Sequence, residues 1–447
     1  VRSESGRNPT DVTAHHGFTG ADLPPADVYN QCVRCGLCLP TCPTYLETLD
    51  ETSSPRGRIA LIKAVDQGYL DLTAPGFVRQ MSECLDCRAC EAVCPSGVAY
   101  GQLLEPARAQ VERVVAVRRP WYRRMIRRLT LGPLFGSMRL MRIVARSLRL
   151  YQRSGLQRLM RSSGLLRMLR LDALEALTPQ ISAVFFTPTT QRWPALQPMK
   201  ATVFLHLGCV MHVAFAEVHR ASVAVLQRAG CEVIAPEGQG CCGAIGVHAG
   251  ELDRGRALAK ANILAFERSG ADIYVVNAAG CGSTLKEYGH LFAEDPLWHD
   301  RAERFSRSVR DITEYLVEIG IEETTLGALP LKVTYQEPCH LVHAQRITSA
   351  PRILLSKIPG LQLREMAESS LCCGSAGIYN VTQPEMATRL QRRKITNALA
   401  VDPEVVVTAN PGCALQLING LAYADRRDVR VVHLVELLDA AYRAGES

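Results

Sequence analysis

One cysteine word is written twice in the chain: Cys32-x2-Cys35-x2-Cys38-x3-Cys42-Pro43, and again Cys84-x2-Cys87-x2-Cys90-x3-Cys94-Pro95. Four soft thiolates packed this closely suit a cubic 4Fe–4S cluster, whose chemistry is one-electron transfer. Three cysteines spaced by two residues let one loop wrap a corner of a cube. In two-cluster carriers the more distant fourth cysteine serves the other cube. The words therefore assign Cys32, Cys35, Cys38 and Cys94 to one cluster, and Cys84, Cys87, Cys90 and Cys42 to the other. The proline after each fourth cysteine predicts an extended exit from the loop. Zinc also takes Cys-x2-Cys pairs, but in two pairs set apart by a longer loop, so a run of four favours clusters.

A second duplication lies further along. Cys209, Cys241-Cys242-Gly243 and Cys281 form one set; Cys339, Cys372-Cys373-Gly374 and Cys413 form the other, displaced by 130, 131 and 132 residues. A constant displacement marks an internal repeat. Each set offers four in-register thiolates, enough for a third and a fourth cluster, although buried cysteine is also common as a small hydrophobe. Cys231 has no counterpart in the second set. His206, His212, His248, His340 and His343 flank the sets. Each could ligate a metal, donate to a cluster sulfur or serve a proton-coupled quinone step, and each alone is more often an ordinary hydrogen-bonded histidine.

The elements that must position these cysteines alternate. Strands are predicted over 201–207, 232–235, 272–277, 331–336, 361–365 and 405–409, with helices over 215–229, 252–269, 351–358 and 383–400. That order predicts α/β units with parallel strands for the repeats, and Cys209, Cys281, Cys339 and Cys413 fall just past strand ends, where open α/β sheets gather their sites. The N-terminal words belong to a mainly α-helical two-cluster domain. The expected division is a loosely ordered arm at 1–25, the two-cluster domain at 26–112, a basic helical linker at 113–199, and the repeats at 200–328 and 329–443.

Charge is unevenly spread. The net charge is +7, yet between Glu112 and Asp172 there are 16 arginines and no acidic residue. Leu140, Ile143, Val144 and Leu148 recur at helical spacing among Arg139, Arg142, Arg146 and Arg149. A basic amphipathic helix of this kind suits either an anionic lipid surface or an acidic partner. No recognition motif accompanies it, which argues against nucleic acid. No apolar run reaches bilayer length and no secretory segment is read at the start, so a cytoplasmic location is expected, peripheral on the inner membrane's cytoplasmic face if the basic stretch binds lipid. Seventeen cysteines in such a compartment read as metal-binding, not disulfide-stapled.

Together these residues resemble the iron–sulfur subunit family of glycolate dehydrogenase (glycolate oxidase), with ferredoxin-type words and heterodisulfide-reductase-like Cys-Cys-Gly domains. The resemblance spans about Gln31 to Leu438 and rests on Cys42-Pro-Thr-Tyr45, Pro55-Arg-Gly-Arg-Ile59, Cys94-Pro-Ser-Gly97, Gly240-Cys-Cys-Gly-Ala244, Gly280-Cys-Gly282, Lys286-Glu-Tyr-Gly289, His343-Ala-Gln345 and Leu371-Cys-Cys-Gly-Ser-Ala-Gly377. It implies an electron-transfer subunit that accepts electrons from FAD on a partner subunit oxidising glycolate, and passes them to quinone or another acceptor. Lactate and glycerol-3-phosphate dehydrogenase subunits share the plan. A heterodisulfide-reductase-like subunit with its own thiol chemistry, or a redox-sensing iron–sulfur protein, would be the alternatives. Family members with noncubane clusters end each repeat in Cys-x2-Cys, whereas here Cys281 is followed by Thr284 and Cys413 by Gln416. No catalytic residue and no flavin fingerprint is found in this chain.

Overall fold

The computed structural model describes residues 17–169 and 171–446. Residues 1–16 of the expected arm lie outside the described residues. The segment at 19–22 is pinned: the buried Gln110 amide donates to the carbonyls of Thr19, Ala21 and Asp22 at 3.0, 2.9 and 3.1 Å.

Helices at Ala26–Asn30, Pro43–Thr48, Pro55–Asp66, Pro75–Glu83, Ala89–Ala92 and Tyr100–Arg118 build the N-terminal part. Three of them open on proline, whose fixed φ suits a first turn and whose missing N–H would have no partner there. This corrects the extended exit expected after Cys42. Cys42 itself is extended, but Pro43 starts a helix at once. The helices close over Ile62, Val65, Phe77, Met81, Leu103 and Leu104.

The basic linker is helical, with Trp121–Leu129 and Met138–Arg153 as its main elements. Ser137 caps the second by accepting from the Leu140 N–H at 3.3 Å. The packed face differs from the expected stripe: Met141 and Ala145 join the core of the first repeat, while Ile143 and Val144 stay 58 % and 42 % exposed. The small Ala145 lets the helix approach closely, which the β-branched pair would not.

Nine strands among the described residues form two sheets. β1 (Arg192–Trp193), β2 (Ala201–Leu205), β3 (Cys231–Ile234), β4 (Ile273–Val276) and β5 (Val309–Asp311) lie in the order β1-β3-β2-β4-β5. β6 (Lys332–Tyr335), β7 (Gln362–Leu363), β8 (Val405–Thr408) and β9 (Arg430–His433) lie in the order β7-β6-β8-β9. All pairings are parallel except β1 with β3, so the first sheet is mixed. The central strands are mainly apolar and almost wholly buried because helices cover both faces of a parallel sheet. From β2 and from β6 the chain winds first to one side and then to the other. Each sheet therefore opens a crevice past the carboxyl ends of its central strands.

The two sheets meet at these ends. Ala279 N–H donates to the Ala409 carbonyl at 3.0 Å, Gly280 N–H to Asn410 Oδ1 at 3.1 Å, and His433 Nε2 to the Asn277 carbonyl at 2.9 Å.

Candidate metal centres

Each N-terminal word curls around its second cysteine. Arg34 (φ 57°) and Gly36 (φ 86°) flank Cys35, and Asp86 (φ 54°) and Arg88 (φ 60°) flank Cys87. A left-handed residue on both sides of one cysteine turns three sulfurs inward, and three of these four residues carry a Cβ that disfavours the conformation. One cavity is lined by Cys32, Cys35, Cys38 and Cys94, with Cys90 at its edge; a second is lined by Cys42, Cys84, Cys87 and Cys90. The exchange of fourth cysteines thus places four sulfurs around each space, a soft donor set that fits a 4Fe–4S cluster. Polar hydrogens already point at the sulfurs: Asp86 N–H to Cys84 Sγ at 3.4 Å, Tyr100 Oη–H to Cys84 Sγ at 3.7 Å, and Val98 N–H to Cys94 Sγ at 3.4 Å. Burial pushes the Cys87 and Cys90 thiols well above their ordinary range, so thiolates form there only against a bound cation. Arg58, buried among Thr44, Ser53 and Gln80, lines the second cavity and supplies fixed positive charge.

The repeat cysteines gather at the two crevices. Cys209 and Cys241 sulfurs are 3.5 Å apart, and a ring nitrogen of His206 lies within 4.8 Å of the Cys242 and Cys281 sulfurs. In the second repeat Cys339 and Cys372 sulfurs are 3.9 Å apart, and Asn410 Nδ2 donates to Cys413 Sγ at 3.4 Å. Cys281 is held down to about 6, first by its contact with Cys242. Cys373 is likewise held below its ordinary range by Cys372 and Cys413. Cys231 is buried at the amino end of β3, opposite Ala201 and far along the strand from either crevice.

The chain matches the 4Fe-4S dicluster domain over residues 28–98, the linker region of the glycolate oxidase iron-sulfur subunit over 122–178, and the cysteine-rich domain twice, over 203–286 and 333–418. A probable glycolate oxidase iron-sulfur subunit from Bacillus subtilis (strain 168) is 42 % identical across 91 % of this chain and 92 % of its own length. The glycolate oxidase iron-sulfur subunit of Escherichia coli (strain K12) is 34 % identical across 97 % of this chain and 98 % of its own. The chain belongs to the glycolate oxidase iron–sulfur subunit family. Lactate utilization protein A of Exiguobacterium sp. (strain ATCC BAA-1283 / AT1b) is 31 % identical over 53 % of this chain. Among the described residues no helix is long and apolar enough to cross a membrane.

As in any iron–sulfur subunit, charge around the sulfurs tunes potential, and here the two repeats of this family member differ. Lys394 is buried beside Cys372, Cys373 and Cys413, donating to the Ser369 carbonyl at 3.1 Å. Burial pulls its ammonium pKa down while the thiols hold it up. Replacing Lys394 with Met is expected to lower the potential of a cluster at the second repeat by about 60–120 mV, roughly 1.4–2.8 kcal/mol for one electron. A redox titration followed by EPR checks this, and an unmoved potential would show the ammonium to be irrelevant.

A buried charge network joins the N-terminal part to the first repeat. Arg88, 4 % exposed, reaches Asp86 at 2.8 Å, Glu91 and Glu105 at 3.0 Å, and Glu287 at 3.6 Å. His248 Nδ1 lies 3.0 Å from both Asp86 and Glu105. Burial opposes a charge on this imidazole, but the two carboxylates outweigh it and push it up to about 10. Although Asp86, Glu105 and His248 cluster like metal ligands, Arg88 and the protonated His248 together already offset the Asp86 and Glu105 carboxylates. Of the other flanking histidines, His212 donates to the Gly208 carbonyl, His340 to the Asp86 carbonyl and His343 to the Ser370 carbonyl. Sequence reasoning missed Arg58, Arg88 and Lys394. The only signal for Arg58 was its place inside the Pro55-to-Ile59 motif.

Proposed function

We propose that this chain is the electron-transfer subunit of a flavin-linked 2-hydroxy-acid dehydrogenase. Glycolate would be oxidised to glyoxylate on a separate FAD-bearing subunit, and the electrons would pass through this chain to quinone. The same reading assigns the two-cluster domain to 26–112, the linker to 113–199 and the cysteine-rich domains to 200–328 and 329–443. It assigns the two N-terminal clusters to the eight cysteines of the words, and further clusters to Cys209, Cys241, Cys242, Cys281 and to Cys339, Cys372, Cys373, Cys413.

The observation that carries this reading is a shared wall. Cys87 and Cys372 belong to one buried cluster with Leu85 and Tyr379, and Cys339 packs against it. Tyr379 Oη donates across the wall to the Glu83 carbonyl at 2.9 Å. When bound, the clusters would each take and give one electron. At the other end Cys35 is exposed, with Val33 and Leu37 68 % and 55 % exposed beside it, an apolar rim for a flavoprotein to cover. Purified chain plus its flavoprotein is expected to reduce quinone with glycolate. Full-rate quinone reduction by the flavoprotein alone would end the conduit reading, and a preference for lactate would move the substrate, not the role.

The helix Trp121–Leu129 supports a lipid-facing seat. It buries no residue, and Tyr122, Met125, Ile126 and Leu129 form an exposed stripe at i, i+3, i+4 and i+7, flanked by Arg123, Arg124 and Arg128. An interfacial helix puts such a stripe among acyl chains, and each arginine near an anionic surface adds about 1 kcal/mol. Chain floated with phosphatidylglycerol vesicles is expected to bind, and M125E with I126E to lose binding by at least about tenfold. Equal flotation of the variant would remove lipid contact from the proposal.

A further inference from the structure

The two repeats share one strand register, and an equivalent pair beside the cysteines differs in chemistry. Val203 pairs with Ile273 in the first sheet as Val333 pairs with Val405 in the second. Three residues further on, His206 N–H donates to the Val275 carbonyl at 2.8 Å, and Gln336 N–H donates to the Val407 carbonyl at 2.9 Å. His206 and Gln336 therefore hold the same position, just before Cys209 and Cys339.

Their side chains behave differently. Gln336 is satisfied: its Oε1 accepts from Thr408 Oγ1 at 2.7 Å and its Nε2 donates to the Glu337 carbonyl at 2.5 Å. His206 is 1 % exposed and half satisfied. Its Nδ1 is 2.7 Å from Tyr274 Oη, while its Nε2 is buried with no nitrogen or oxygen partner and faces the Cys281 sulfur. Tyr274 stands where the second sheet has Val406, so the partner that orients the ring is also confined to the first repeat. The ring shares its space with the Cys242 and Cys281 sulfurs, all within 4.8 Å. Gly208, at φ +64°, leaves that space open: a Cβ there would lie 3.6 Å from His206 Nε2 and 3.9 Å from Cys281 Sγ.

A buried nitrogen lone pair left unpaired costs stability unless something binds it. Metal-ligating histidines characteristically engage their other nitrogen in a hydrogen bond that fixes tautomer and orientation, which is the geometry of His206 and Tyr274. We propose that His206 is an iron ligand of the first repeat, completing with Cys209, Cys241, Cys242 and Cys281 a mixed imidazole–thiolate iron–sulfur site, while the second repeat binds through thiolates alone. This rests on the reading that the first crevice holds an iron–sulfur cluster. A neutral imidazole in the place of a fifth thiolate carries one negative charge fewer, so this site would sit at a higher potential than the five-thiolate site that His206→Cys creates.

The test uses the full chain labelled with [15N]histidine, reduced and studied by pulsed EPR beside iron and sulfide analysis. One strongly coupled 15N nucleus is expected, and it should be lost in His206→Gln, a change that copies what the second repeat already accommodates. His206→Cys should keep iron and sulfide near wild-type amounts, lose the 15N coupling, and shift one potential downward. Should His206→Gln not fold, the cysteine variant supplies the same readout. Iron and sulfide in excess of two clusters without a strongly coupled 15N would overturn the ligand assignment alone. Iron and sulfide for two clusters only, or zinc in the first crevice, would overturn the cluster reading as well.

Discussion

Replacing Cys87 with serine is expected to strip one cubic cluster from the purified chain, a fall of about four iron and four sulfide per molecule. Cys87 lines the second cavity and is buried against Cys372, and its thiol is raised well above the ordinary range by burial and then by Cys339. The Ala89 N–H favours the thiolate but does not outweigh that burial, so the thiolate forms against bound metal, and a serine hydroxyl offers iron a much weaker ligand. Changes one shell away from a metal commonly cost about 10–100-fold, so quinone reduction by the assembled complex should fall by more than about 100-fold. Dye reduction by the flavoprotein itself should be untouched. Cys231→Ser is the matched control, since Cys231 sits in β3 away from both crevices, and it should leave iron and turnover unchanged. Unaltered iron in the Cys87 variant would undo the ligand set.

Arg88→Met should be the most damaging change outside the cysteines. It would leave the buried Asp86 and the partly buried Glu105 and Glu287 without their shared counter-charge, and breaking such a network typically costs about 3–5 kcal/mol. Chemical denaturation of the iron-loaded chain reads this directly; a loss under about 1 kcal/mol would mean that the network is relaxed by water. The same network makes stability pH-dependent. The His248 imidazole is raised from 6.5 to about 10 in the folded chain, so its contribution is complete below about pH 6.5 and is lost as pH rises through about 10. The stability difference between the wild type and His248→Asn should therefore shrink from pH 6.5 to pH 10. A constant difference would mean that the ring is neutral.

Much of this was legible in advance because the signals were local or periodic. Every strand and helix expected in the repeats is present within a few residues, since apolar runs such as Val405-Val-Val407 leave little choice. The cysteine sets converge because the last cysteine of each follows its strand by the same interval, Cys281 after β4 and Cys413 after β8. The missed strands β1, β5 and β9 are short and carry charged residues (Arg192, Arg310, Asp311 and Arg430), so no apolar run marks them. The helix of the basic linker carries a second apolar face, and only the neighbour decides that Met141 and Ala145 go inward. The left-handed residues were hidden for a different reason: apart from Gly36 they are Arg34, Asp86 and Arg88, not glycine. His206 was one of five comparable histidines until register set it beside Gln336.

Asp86 and Arg88 take part in two tasks at once. Their left-handed backbones shape the loop that presents Cys87, and their side chains anchor the seam to Glu105, Glu287 and His248. Loop closure and seam closure are therefore a single linked equilibrium. Whatever part of the cluster's binding free energy depends on a closed seam tightens the seam by that amount, and by reciprocity a seated seam raises the loop's affinity for its cluster. A chain whose second loop is empty should thus be loose where the three parts meet. Limited proteolysis there would report maturation: cleavage of unloaded molecules, and survival of those that have received their iron.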